Sequence, residues 1–175
     1  NILKKTILGI EYVNTIYNYK YLIRSNITSF WIIDNLLKLI QILPPSKVYA
    51  GPNNWDKFIS GCGIIMSRDV SQKLIDNITF TNLPDDVQIA KTINTKLSGF
   101  LEYRSKSFNL YKTNIEKISI KYKILYLIDQ PIKPNEYECI HKFIIQNNVF
   151  HVRIKSSFNR TKDLGLFQYL SSRTF

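Results

Sequence analysis

FISGCGIIMSRD, residues 58–69, and LPDDVQIA, residues 83–90, are the stretches on which the reading of this 175-residue chain turns. The first is an apolar, strand-like run, Phe58 and Ile59, interrupted by Gly61 and Gly63 and resumed at Ile64, Ile65 and Met66 before Ser67 caps a helix. Glycines inside a strand pattern mark places where a ligand or another backbone comes close. The second stretch sets Asp85 and Asp86 directly after Pro84, at the start of a helix with apolar positions Val87, Ile89, Ala90 and Ile93. The partial positive charge at a helix N-terminus keeps such a carboxylate ionised, the form that accepts a proton.

The segments on either side alternate between helix and strand. Ile7, Leu8, Ile10, Val13 and Ile16 predict a helix over 4–17. YKYLIR, residues 19–24, reads as a short buried strand that ends in SNITSFW. An amphipathic helix over 34–43 is closed by Pro44 and Pro45, and residues 47–50 form a strand leading into the turn GPNNW. Residues 102–135 hold extended pieces such as ISIKYKILYLI. NVFHVRIK, residues 148–155, has a period of two, with Phe150, Val152 and Ile154 on a packed face and His151, Arg153 and Lys155 on an open one. A last helix is expected over 162–170. This order predicts an α/β fold, and the length fits a single domain spanning residues 1–175.

Composition narrows the partners without choosing one. The formal charge is +11, with 11 basic against 7 acidic residues up to position 100 and 13 against 6 beyond it. Polyanions, anionic membranes and phosphorylated ligands all suit that sign. The abundance of Ile, Asn, Lys and Tyr also fits AT-rich coding sequence, which would raise the charge with no partner at all. Cys62 and Cys139 are too few for a zinc site or a disulfide framework, although one bridge remains open to them. Sequons stand at Asn26, Asn77 and Asn159, a number that so Asn-rich a chain produces by chance. The longest apolar stretch, Phe30 to Leu43, carries Asp34, Asn35, Lys38 and Gln41 and is too short to span a bilayer. No signal peptide opens the sequence.

The succession YLIRSNITSFW, VYAGP, FISGCGIIMSRDV, LPDDVQIA and FHVRIK resembles the C-terminal two-thirds of GT-A-fold glycosyltransferases of the fringe and β-1,3-galactosyltransferase type, over about residues 4–170. The resemblance implies a GT-A-like, Rossmann-like mixed sheet flanked by helices, with the N-terminal nucleotide-binding half lying outside this chain. It further implies inverting transfer of a hexose from a nucleotide sugar, such as a UDP-sugar, to the hydroxyl of a glycan, glycoprotein or other acceptor. Asp86 matches the position of the family's general base, with Asp85 as the fallback. The family's metal-binding Asp-x-Asp turn corresponds here to Asn26-Ile27-Thr28, which supplies no carboxylate for Mg²⁺ or Mn²⁺. Metal dependence is thereby put in question, and Arg153, Lys155 and Arg160 become candidates to stabilise the departing diphosphate. His151 stands where the family often has a C-terminal metal ligand.

Each of these residues also has a plainer reading. Asp85 or Asp86 is equally what a helix N-cap requires. Gly61, Cys62 and Gly63 are expected to bring backbone close to sugar or acceptor, with Trp55 stacking on a pyranose face or packing in the core. Trp31 is expected in the core, and His141 at the surface or satisfied within the core. A polar strand face explains His151 as well as a ligand role does. Two other functions stay open: a transferase-derived domain that binds glycan or acts as a scaffold without reacting, and a basic nucleic-acid-binding module. The second is disfavoured, because the cations are scattered and no RRM, KH, zinc or helix-turn-helix pattern is present. The expected completing partner is the missing N-terminal region or another chain.

Overall fold

The computed structural model describes residues 2–54, 58–97, 103–106, 109–110, 123–128, 134–155, 160–173 and 175. In chain order the elements are α1 (Ile2–Ile16), β1 (Tyr21–Ser25), β2 (Ser29–Trp31), α2 (Ile33–Ile42), β3 (Val48–Ala50), β4 (Asn53–Asn54), β5 (Phe58–Ile59) and β6 (Gly63–Ser67). They continue as α3 (Arg68–Asn77), α4 (Asp85–Thr92), β7 (Tyr103–Lys106), β8 (Asn109–Leu110), β9 (Lys123–Ile128), α5 (Tyr137–Gln146), β10 (Val149–Lys155) and α6 (Arg160–Ser171). The fold is mixed α/β. Its contacts divide into two compact units, one formed by Asn1–Ser25 with Leu43–Thr113 and the other by Asn26–Ile42 with Asn114–Phe175. No described helix is long and apolar enough to cross a membrane.

The first unit is organised on β6. Its five residues, Gly-Ile-Ile-Met-Ser, are all buried, as expected of a strand paired on both edges. The sheet order is β1-β6-β3-β7-β8, with β6 antiparallel to both β1 and β3 and β3 parallel to β7. Leu3, Ile7 and Ile10 recur at helical spacing on α1 and pack with Val70 and Leu74 of α3 and Ile89 of α4. Tyr49, Ile59, Ile64 and Met66 complete this core. Each large aliphatic side chain so withdrawn from water contributes about 1.5–3 kcal/mol.

Phe58–Ile59 and Ile64–Met66 are not one interrupted strand. β5 pairs with β4, whereas β6 pairs with β1 and β3, and the chain turns at Gly61-Cys62 between them. Gly51, in the expected turn, has φ 153°, and a Cβ there would overlap the Gly63 carbonyl oxygen and the Ile59 side chain. Ser67 is the N-cap residue of α3, as read from sequence, yet its hydroxyl makes no capping bond. Its Oγ instead accepts the Val48 N–H at 2.8 Å, tying β3 to β6. Asp69 in the first turn of α3 takes the Lys47 N–H on both carboxylate oxygens, at 3.0 and 3.1 Å. These bonds hold Lys47 in the left-handed region, at φ 58°.

The second unit is built on β10, the central strand of a sheet ordered β2-β10-β9. β10 runs antiparallel to β2 and parallel to β9. Ile32, Ile144, Val149, Val152, Ile154, Leu166 and Leu170 form its core, with Phe30 and Phe167 packed against them. Two elements here go beyond what the sequence predicts. Ser29–Trp31, read as the tail of SNITSFW, is a strand in register with Arg153–His151, and α5 precedes β10. The expected open face of β10 is therefore closed at its first position: His151 is fully buried. A strand flanked on both edges and packed by helices carries burial on both faces, and period-two polarity cannot reveal that.

Candidate functional site

Helix α4 brings the two aspartates together but uses them differently. Its N-cap is Pro84, which has no side-chain acceptor, and the first intrahelical bond runs from the Gln88 N–H to the Pro84 carbonyl at 2.9 Å. Neither aspartate stands at the N-cap itself. Asp85 is 8% exposed, and its Oδ2 accepts the Thr6 hydroxyl at 3.0 Å and an Arg24 N–H in an ion pair. Asp86 is partly exposed. Its Oδ2 accepts the Gly61 N–H at 2.9 Å, and its Oδ1 accepts the Val87 N–H at 2.9 Å.

Gly61 thus binds the second stretch singled out in the sequence to the first. The close approach that a glycine signals is real, but the group that approaches is part of the protein. A Cβ on Gly61 would overlap the Arg24 guanidinium, which occupies that space while paired to Asp85. Cys62 and Gly63 are fully buried. The Cys62 carbonyl accepts the Ser25 hydroxyl at 3.3 Å, and the Gly63 N–H donates to the Ser60 carbonyl at 3.2 Å. Trp55 lies outside the described residues.

Chemically the two carboxylates divide the work. Asp85 is committed to a cation and a hydroxyl in a nearly dry setting. An ionised carboxylate offers about four lone-pair positions; described residues engage two of those on Asp86, which is partly exposed. A proton-accepting role therefore fits Asp86 better than Asp85. Arg24 is the residue that sequence reading missed. The signal for it is a lone cation directly after the apolar run Tyr-Leu-Ile, because a withdrawn arginine requires an anionic partner.

The other candidates belong to the second unit. Asn26 Oδ1 accepts three bonds, from the Thr28 N–H at 3.1 Å, the Thr28 hydroxyl at 2.6 Å and the Ser29 hydroxyl at 3.1 Å. This self-closed turn absorbs the amide oxygen that would face a ligand. Thr28 is buried and Ile27 is the exposed residue of the turn. Among the described residues no three His, Cys, Asp or Glu side chains converge as a metal site would require. Arg153 is partly exposed, while the side chains of Lys155 and Arg160 lie outside the described residues.

His151 lies opposite Trp31 on the neighbouring strand, and the rings stack at 4.2 Å and 15°. Neither ring nitrogen has a hydrogen-bond partner among the described residues. Burial, then the charge of Arg153, pushes its pKa down to about 3. The folded state thus holds a neutral imidazole where the unfolded chain, titrating near 6.5, takes up a proton. Full stability from this group is present above pH 6.5 and is lost as pH falls through that value toward 3, by about 1.4 kcal/mol per pH unit in the window. His151→Phe should keep the stack and remove this dependence. Urea unfolding of both proteins at pH 7 and 4.5 checks it, and equal pH slopes would refute the assignment.

No protein-family model matches the chain, and no curated protein matches it.

Proposed function

We propose that the chain is the acceptor-side part of an inverting glycosyltransferase of the GT-A, fringe-like type, moving a hexose from a UDP-sugar to an acceptor hydroxyl, with Asp86 as general base. One observation supports this above the others: the Gly61 N–H meets Asp86 Oδ2 at 2.9 Å, so the glycine turn positions a partly exposed carboxylate at a helix N-terminus. In the proposed reaction the acceptor oxygen attacks the anomeric carbon as its proton passes to Asp86. The bond from that carbon to the diphosphate breaks on the opposite face, and UDP departs. A base so placed contributes about 10² to 10⁴-fold.

The residues of the 26–28 turn do not fit a divalent cation. Asn26 spends its oxygen within the turn, and Thr28 is buried. Stabilisation of the leaving diphosphate is accordingly assigned to cationic side chains in place of a metal. The closed turn also favours a second reading, a transferase-derived glycan-binding domain that no longer reacts.

The test is release of UDP from a panel of UDP-hexoses at millimolar concentration, with saccharide acceptors, in the presence of EDTA or of Mn²⁺. Acceptor-dependent release that persists in EDTA is expected. Glycan-array binding without release from any donor would select the second reading, and neither activity would remove both.

A further inference from the structure

Asp85 and Asp86 are adjacent on α4, and successive residues of an α-helix point about 100° apart. The two carboxylates therefore face different neighbours. Asp85 takes the Arg24 ion pair from β1 and the Thr6 hydroxyl from α1, while Asp86 takes the Gly61 N–H from the turn between β5 and β6. The guanidinium that pairs with Asp85 also lies against Gly61, where an added Cβ would overlap its Nη1 and Cζ. These contacts close a circuit: Asp85 to Arg24, Arg24 to the Gly61 backbone, and the Gly61 N–H to Asp86.

Gly61 has no positive φ, so its backbone conformation does not itself demand glycine. The room taken by Arg24 does. On the far side of the helix start, Gln88 is buried and its Oε1 accepts the Thr81 hydroxyl at 2.8 Å, while Thr81 Oγ1 accepts the Leu83 N–H at 3.3 Å. These bonds tie the approaching loop to the first turn of α4. Apolar packing, through Ile89 in the core, is non-directional and orients the helix coarsely. A hydrogen-bonded ion pair weakens steeply as it bends, and so fixes the rotation more closely.

We propose that Arg24 is a positioning residue: held by Asp85 and seated against Gly61, it sets the rotation of α4 that presents Asp86 to the Gly61 N–H. For its effect on rate the proposal rests on the reading of Asp86 as general base, whereas the geometry it asserts is measurable without any substrate. Arg24 acts through Asp85 and Gly61 and takes no proton itself. A catalytic group must be held within about 0.5 Å and 10–20° of its productive geometry, and a misplacement of about 1 Å costs about 10²-fold in rate. Were Arg24 only a source of stability, a variant that restored stability would restore turnover.

Arg24→Met with Asp85→Leu separates these roles, because it removes the circuit and leaves no uncompensated charge. Hydrogen exchange followed by NMR compares the Gly61 amide with the amides of β6 in the same molecule. Protection at Gly61 should fall about tenfold or more, the equivalent of one lost charge-assisted bond, while the β6 amides keep theirs. UDP release should show kcat lowered about 10²-fold with the donor KM unchanged. Arg24→Lys, which returns a cation to Asp85, should regain part of both. Unchanged protection at Gly61 in the folded variant would overturn the proposal, and so would an unchanged kcat where the parental chain transfers sugar. Lost protection at Gly61 with no transfer by the parental chain would uphold the positioning and remove Asp86 as base. Should the double variant fail to fold, Gly61→Ala takes its place, since it keeps every charge and the N–H at position 61 and displaces the guanidinium alone. Parental protection of that amide would then overturn the proposal.

Discussion

Asp86→Asn is expected to lower acceptor-dependent sugar transfer by about 10² to 10⁴-fold, the usual worth of a positioned general base. The amide keeps the shape of the carboxylate and loses its affinity for a proton. Its effect on folding is expected to be small but not zero. Asp86 accepts from two backbone donors, Gly61 and Val87; an amide has one oxygen, so its NH₂ must face one of them. About 1 kcal/mol should be lost on that account. The measurement is the ratio of UDP release rates at matched donor concentration, paired with urea midpoints. A variant that unfolds with the expected small shift yet transfers at the parental rate would end the assignment of Asp86 as base.

Arg24→Ala is expected to have the largest effect on stability, about 3–5 kcal/mol. The ion-paired side chains are only 18% and 11% exposed for Arg24 and Asp85, which places the pair closer to the buried regime than to a screened surface bridge. Removing the guanidinium leaves the Asp85 charge with the Thr6 hydroxyl as its remaining described side-chain partner and opens a void over Gly61. Replacing both partners by Arg24→Met with Asp85→Leu should recover most of the loss, since two apolar side chains leave no uncompensated charge. Chemical denaturation of the single and double variants measures this. A cost below about 1 kcal/mol for Arg24→Ala would mean that water screens the pair.

The periodic segments are readable without coordinates. Ile7 and Ile10 mark the buried face of α1, and the expected strand over 148–155 is Val149–Lys155, because burial imposes its period directly on the sequence. The pairing of the glycine turn with the aspartate helix is legible too, since both stretches carry unusual residues at defined positions. Which group fills the space at Gly61 is not, because the answer lies in Arg24, far upstream in the chain. The burial of His151 is hidden for a related reason: β2 is only three residues long and carries no period of its own. Residue type alone misleads at Asn26, where an amide that could face a ligand instead closes its own turn.

The interleaving of the two units has a consequence for the order in which the protein is made. Residues 26–42 belong with 114–175, so β2 and α2 leave the ribosome well before the strand that pairs with them. Trp31 is opposite His151, and at about 5–20 residues per second the wait between them is roughly 6–24 s. During it the apolar face of α2, with Leu36 and Leu39 buried in the finished fold, has no sheet of its own unit to rest on. The first unit can meanwhile assemble from 1–25 and 43–113 around an unfinished insertion. Nascent-chain handling, and not only final stability, thus bears on how much of this protein reaches its folded state.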